Sequence, residues 1–397
     1  MRVLALIFAM LLTPALPVED PAANTRPLPD RTSFPDDDNY DKALRNAWNH
    51  DDLRDRAAAE LHRLHRESGF KIRTDDQRIA LLKRTLGPGF SVLKTPYFVI
   101  ISDAPVAESR RRAQMLARAR HQFYRFTDRI GYPAVPHRER LVCVFFDGYE
   151  RYRAFGASSD GVEAPWAGGY YSRASNRIVL FNDRNSPSFR AAYQWITKAE
   201  RKLLEIKDDA RIAHRSGDRT RARQLDESVR TLREQIAQTE KSIKEQLDDV
   251  STATVIHEAI HLLAFNSGLQ NPGGAYPFWL TEGLAAAFET THPSQAFGPD
   301  RPFEPREDKY RSLRAAGDTP SLEVLVALGD DEPLTADQAG MFYPSAYALF
   351  TTIAQAEPDA LRGLLLSYVA ETGPVDHAER FGRFLDPGLC GRRLAAK

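Results

Sequence analysis

The chain has 397 residues, a formal net charge of zero and 42% hydrophobic residues, enough to bury a sizeable core in one large domain or two moderate ones. Balanced charges of both signs exclude strong non-specific attraction to polyanions, so neither nucleic acid nor anionic lipid is an expected partner.

The N-terminus, "MRVLALIFAMLLTPALP", sets Arg2 before an apolar run from Val3 to Leu12 and then small residues and prolines. This is the layout of a secretory signal over residues 1–17, too short to span a bilayer. Cleavage is expected between Ala15 and Ala23, and no cysteine follows the run to carry a lipid. The expected protein is exported, periplasmic or secreted, with no stable membrane anchor after processing. An oxidising compartment would let Cys143 and Cys390 pair; the alternative is a buried thiol at Cys143 in "LVCVFF" with Cys390 loose near the C-terminus.

Residues 18–40 are rich in proline and acid and read as a disordered linker. Residues 41–90 read as a helical segment, with helices predicted over Asp41–Ser68 and about Asp76–Leu86. His62 and His65 lie beside Arg63, Arg66 and Glu67, a solvated face rather than a metal site. From 91 to 397 one domain is expected. It opens with a strand at "YFVIIS" (Tyr97 to Ser102), a helix from about Pro105 to Ile130, a strand at "LVCVFF", and a hairpin from "AGGYYS" and "NRIVLF". That order predicts a small mixed sheet with a helix packed on it. Residues 198–250 are highly charged, with Leu225, Val229, Leu232, Ile236 and Ile243 forming one seam, and Leu203, Ile206, Ala210 and Ala213 another before the breaker "SGD". An antiparallel helical hairpin inserted in the domain is expected, in preference to a coiled-coil site for a protein partner, because the seam is short and centrally broken.

In "STATVIHEAIHLLAFNSG" the apolar residues define a buried helix, with Ser251 or Thr252 available as cap. His257 and His261 are four apart, which sets both imidazoles on one face within reach of a single ion. Glu258 stands beside them, where a carboxylate could take a proton from water. Three ionisable groups on an interior helix lose stability unless paired or bound to an ion. A catalytic zinc needs a third protein ligand. The helix of "PFWLTEGLAAAFE" follows a reversing "NPGG" and offers Glu282 first; Glu289, nearer the helix end and expected to meet solvent, is the competing ligand or a partner orienting a histidine.

H-E-x-x-H followed by W-L-x-E-G-x-A resembles the gluzincin pattern of thermolysin-like and aminopeptidase-like zinc peptidases. With "GGYYSRASNRIVLF" upstream, it is similar to an exported peptidase MA-like family labelled a domain of unknown function, over about Tyr97 to Glu357 apart from the charged hairpin. The resemblance implies an α+β, zincin-like catalytic domain with a small mixed sheet, the buried H-E-x-x-H helix and a mainly helical C-terminal part. It implies zinc held by His257, His261 and Glu282, with Glu258 as general base. It also implies a downstream tyrosine that donates to the oxyanion. "FYPSAYALFTTIA" offers Tyr343 in that register, and Tyr347 one turn on.

The aminopeptidase-like G-x-M-E-N is absent. The hairpin could serve as an edge strand that binds an extended peptide by main-chain pairing, which favours internal cleavage. Arg173 and Arg177 read as solvent-facing turn residues, or as contacts to an acidic group. The expected function is an exported zinc-dependent metallopeptidase acting on peptide or protein substrates as an endopeptidase. The alternative is a non-catalytic zinc-containing scaffold that docks a protein partner through 198–250, and a third reading lets the same site open another amide.

Overall fold

The computed structural model describes residues 4–7, 75–137, 139–162, 167–370 and 375–396. The linker and the helix expected at Asp41–Ser68, with His62 and His65, lie outside the described residues, as does most of the export signal. The second helix of that segment forms as α1 (Asp75–Leu86).

Six strands build one mixed sheet in the order β1-β5-β6-β4-β3-β2. They are β1 (Leu4–Ile7), β2 (Ser91–Lys94), β3 (Phe98–Ser102), β4 (Leu141–Phe146), β5 (Ala167–Ser172) and β6 (Arg177–Phe181). Neighbours β3, β4 and β6 run parallel, with β2 and β5 antiparallel beside them. The central strands are continuous apolar runs because both faces are covered. Phe98, Ile100, Cys143 and Phe145 face α2 (Val106–Arg129) and the large helical core, while Val99, Ile101, Val142 and Val144 face α1 and α3 (Tyr149–Phe155). The predicted β5–β6 hairpin forms, and β1, within the expected export signal, pairs along its outer side with Leu4 opposite Tyr171.

Two long helices, α4 (Pro187–Ser216) and α5 (Arg219–Asn266), pack antiparallel through Phe189, Ile196, Ala199, Ile236, Ile243 and Leu247. The turn between them is at Gly217, whose φ of 75° suits glycine. The hairpin is longer than the charged run suggests. It starts at Pro187, where Ser186 caps the first turn by accepting from the Phe189 N–H. Its second helix, 48 residues long, continues into the histidine motif without a break. Ser251 and Thr252 therefore do not cap a new helix; both are buried mid-helix. No glycine or proline occurs between Arg219 and Asn266 to interrupt the backbone hydrogen bonds.

The rest is helical: α6 (Phe278–Ala286), α7 (Glu304–Ala316), α8 (Leu322–Ala327), α9 (Ala336–Ala356), α10 (Pro358–Ala370), α11 (His377–Phe384) and α12 (Pro387–Ala396). The chain is thus α+β with a mainly helical C-terminal part. Cys143 in β4 and Cys390 in α12 are both free and buried, so they do not pair, and Cys390 is packed rather than loose. Among the described residues no helix is long and apolar enough to cross a membrane.

Candidate metal centre

The last turns of α5 are buried on all sides, as their apolar composition requires. One turn apart on the same face, His257 and His261 bring their Nε2 atoms to 3.0 Å. After Asn266 the chain reverses, and the Phe278 N–H donates to the Leu328 carbonyl at the start of α6. Close contact with α9 then seats α6: a Cβ on Gly283 would come within 2.5 Å of the Ala346 carbonyl oxygen and 2.9 Å of Phe350 Cβ. Only glycine fits there, and that approach holds the preceding residue, Glu282, against the histidines. Glu282 Oε2 lies 3.1 Å from His257 Nε2, and Oε1 lies 3.4 Å from His261 Nε2. One ligand atom from each residue falls within 4.8 Å of the others, and all three side chains are buried. The sequence-predicted ligands therefore converge.

Glu289 does not meet solvent. Helix α6 ends at Ala286, and the turn that follows folds Glu289 inward until its Oε1 lies 2.8 Å from His257 Nδ1. Of the two roles open to it, the position is that of a partner orienting the histidine, while Glu282 lies with the two Nε2 atoms in the group that could hold an ion. Arg306, on the first turn of α7, grips the same carboxylate with Nε at 2.7 Å and Nη2 at 2.8 Å. Arg306 escapes sequence reading because "EPREDKYR" looks like a solvated helix face.

Glu258 is buried beside the pair; the Tyr171 backbone N–H holds its carboxylate, while Oε2 has no hydrogen-bond partner. Burial pushes its pKa up to about 8, against the lowering effect of His257. At Glu282 burial also favours the neutral acid, but His261 and His257 outweigh it and hold the carboxyl below its usual range. His257 gains positive character between two carboxylates: burial opposes charge, yet hydrogen bonds to Glu282 and Glu289 push it to about 9. Glu282 and Glu289 stay ionised around His257, and a divalent cation at the Nε2 atoms would take the place of the proton that His257 holds between them. Two imidazole nitrogens plus a carboxylate are the donor set of a zinc site with an open position. The unpartnered buried oxygen of Glu258, Oε2, fits the same reading, since leaving such an atom unmatched costs about 1–3 kcal/mol.

Tyr343 stands over the centre, its ring 6.3 Å from that of His257 and its phenol hydrogen-bonded to Glu282. Burial, then the charges of Glu282 and Glu258, raise the phenol pKa well above its ordinary value, so it remains a donor. Tyr347 is committed elsewhere: its oxygen accepts from the Phe303 N–H at 2.9 Å.

A family model described as "Protein of unknown function (DUF1570)" matches residues 251–376. No curated protein and no solved structure matches the chain. The matched stretch carries His257, Glu258, His261, Glu282, Glu289, Arg306 and Tyr343, and none of the sheet.

Arg173 and Arg177 are not solvent-facing. Arg173 pairs with buried Asp330 and lies over the Phe265 ring, and Arg177 reaches Asp160 at 2.8 Å. Asp330 also accepts from Thr281, the neighbour of Glu282, so Arg173 braces α6 from the β-hairpin. His261 is braced from the same side by the ring of Tyr171, 6.5 Å away and nearly parallel.

Proposed function

We propose that the chain is an exported zinc-dependent metallopeptidase that cleaves peptide bonds internally, with His257, His261 and Glu282 holding the ion. The observation that carries this reading is the convergence of those three side chains within 4.8 Å, with a partnerless oxygen of Glu258 beside them. A bound zinc ion supplies Lewis-acid polarisation of water and of a carbonyl. Glu258 takes a proton from the attacking water and passes it to the leaving amine nitrogen, so that one carboxyl and one amine are released. Its partnerless Oε2 is the oxygen open to that proton. Tyr343 donates from its phenol to the oxyanion that develops on the carbonyl oxygen. Export rests on the N-terminal layout alone. A scaffold reading has its own support in Leu204 and Ile212, which stand exposed on α4, but a structural zinc has no use for Glu258.

The test is metal content paired with hydrolysis. Purified protein should carry about one zinc per chain, and His257→Ala or His261→Ala should carry none. Glu258→Gln should retain zinc and lose cleavage of an unfolded casein substrate by about 100-fold or more. Equal metal in all variants would end the zinc reading, and zinc without cleavage in the parent protein would favour the scaffold.

A further inference from the structure

We infer that Arg306 is a positioning residue for the metal centre, fixing Glu289 and through it the ring of His257. The inference rests on the metal-binding half of the proposed function and is independent of hydrolysis.

Glu289 lies beyond the last residue of α6, where no regular helix holds its side chain. The carboxylate nevertheless has to meet His257 Nδ1 in line, because that bond decides which ring nitrogen remains free and where it points. The guanidinium fork supplies the missing constraint. Nε and Nη2 engage one oxygen each, and the oxygen that Nη2 holds is the same Oε1 that faces His257. Two parallel bonds fix the plane of a carboxylate as a single point charge cannot.

Arg306 is itself anchored. Its backbone N–H donates to the Phe303 carbonyl, and the Phe303 N–H donates to the Tyr347 hydroxyl, which ties the first turn of α7 to α9. Tyr347 thus takes part in the support through its hydroxyl. The guanidinium carbon also sits 5.7 Å from the centre of the Tyr343 ring. One side chain therefore sets both the histidine's support and the surroundings of the phenol, and its own side chain is only 13% exposed.

Zinc affinity of the metal-free protein, measured by competition with a chromophoric chelator, tests the inference without any activity readout. Arg306→Met should weaken zinc binding by about 10- to 100-fold, and Glu289→Gln by a similar factor. Because both act on one ring, the double variant should bind no more weakly than the worse single one. Losses that multiply, or affinities like the parent's in a folded Arg306→Met, overturn it. If Arg306→Met does not fold, Arg306→Lys decides. It keeps the charge without the fork, so intermediate affinity supports the inference and unchanged affinity overturns it. A parent protein that binds no zinc fails the proposed function instead.

Discussion

His257 is engaged at both ring nitrogens, by Glu282 on one side and Glu289 on the other, and so is the most constrained side chain of the centre. His257, His261 and Glu258 are legible in the sequence because helical spacing alone sets them on one face. Glu282 is legible from its place after "WLT". Glu289 is not, since a carboxylate after "AAAF" reads as a helix end in water, and a turn too short to predict folds it inward. Away from the centre, Asp183 is buried near Arg112 and next to Ser251, and burial pushes its pKa up to about 6. For an acid raised above its unfolded value the folded state binds more protons between the two pKa values. The contribution of Asp183 to stability is therefore greatest below pH 4 and falls as pH rises towards 6. Asp183→Asn should abolish that fall, so the parent should lose about 2–3 kcal/mol relative to the variant across pH 4 to 6. Urea unfolding at several pH values measures it, and parallel profiles would refute the assignment.

Among the elements, the two strands on apolar runs, the β5–β6 hairpin and the breaker at Gly217 are all legible, because local chemistry decides each of them. The junction of the charged hairpin with the histidine helix is not. Serines and threonines at 251–254 look like a cap, but a cap requires the chain to leave helical geometry, and nothing from Arg219 onward makes it do so. The glycine of "TEG" is also silent until α9 is seen against it. Gly283→Ala should force α6 from α9 at a cost of about 1–3 kcal/mol. Because Glu282 is the preceding residue, zinc affinity should fall along with thermal stability. A variant that loses neither would show that the two helices have room to spare.

For the molecule as a whole, the centre joins α5, α6, α7 and α9 at one point, so an ion bound there stabilises the packing of most of the helical part. At zinc concentrations near 100 times Kd the gain is about 2.7 kcal/mol, which should raise the melting temperature by several degrees and leave His261→Ala unmoved. Calorimetry with and without zinc reads this directly, and an equal response from the variant would place the ion elsewhere. The mixed sheet with its packed helix follows from patterning, and the helical C-terminal part from the resemblance; the order of strands follows from neither, because parallel neighbours are distant in sequence.

The unbroken course of α5 has a mechanical side. From the tip at Gly217 to His257 it runs roughly 60 Å with no joint between them. The rise per residue alone therefore sets how far the tip stands from the imidazoles, and a probe placed at each end would report one rigid span.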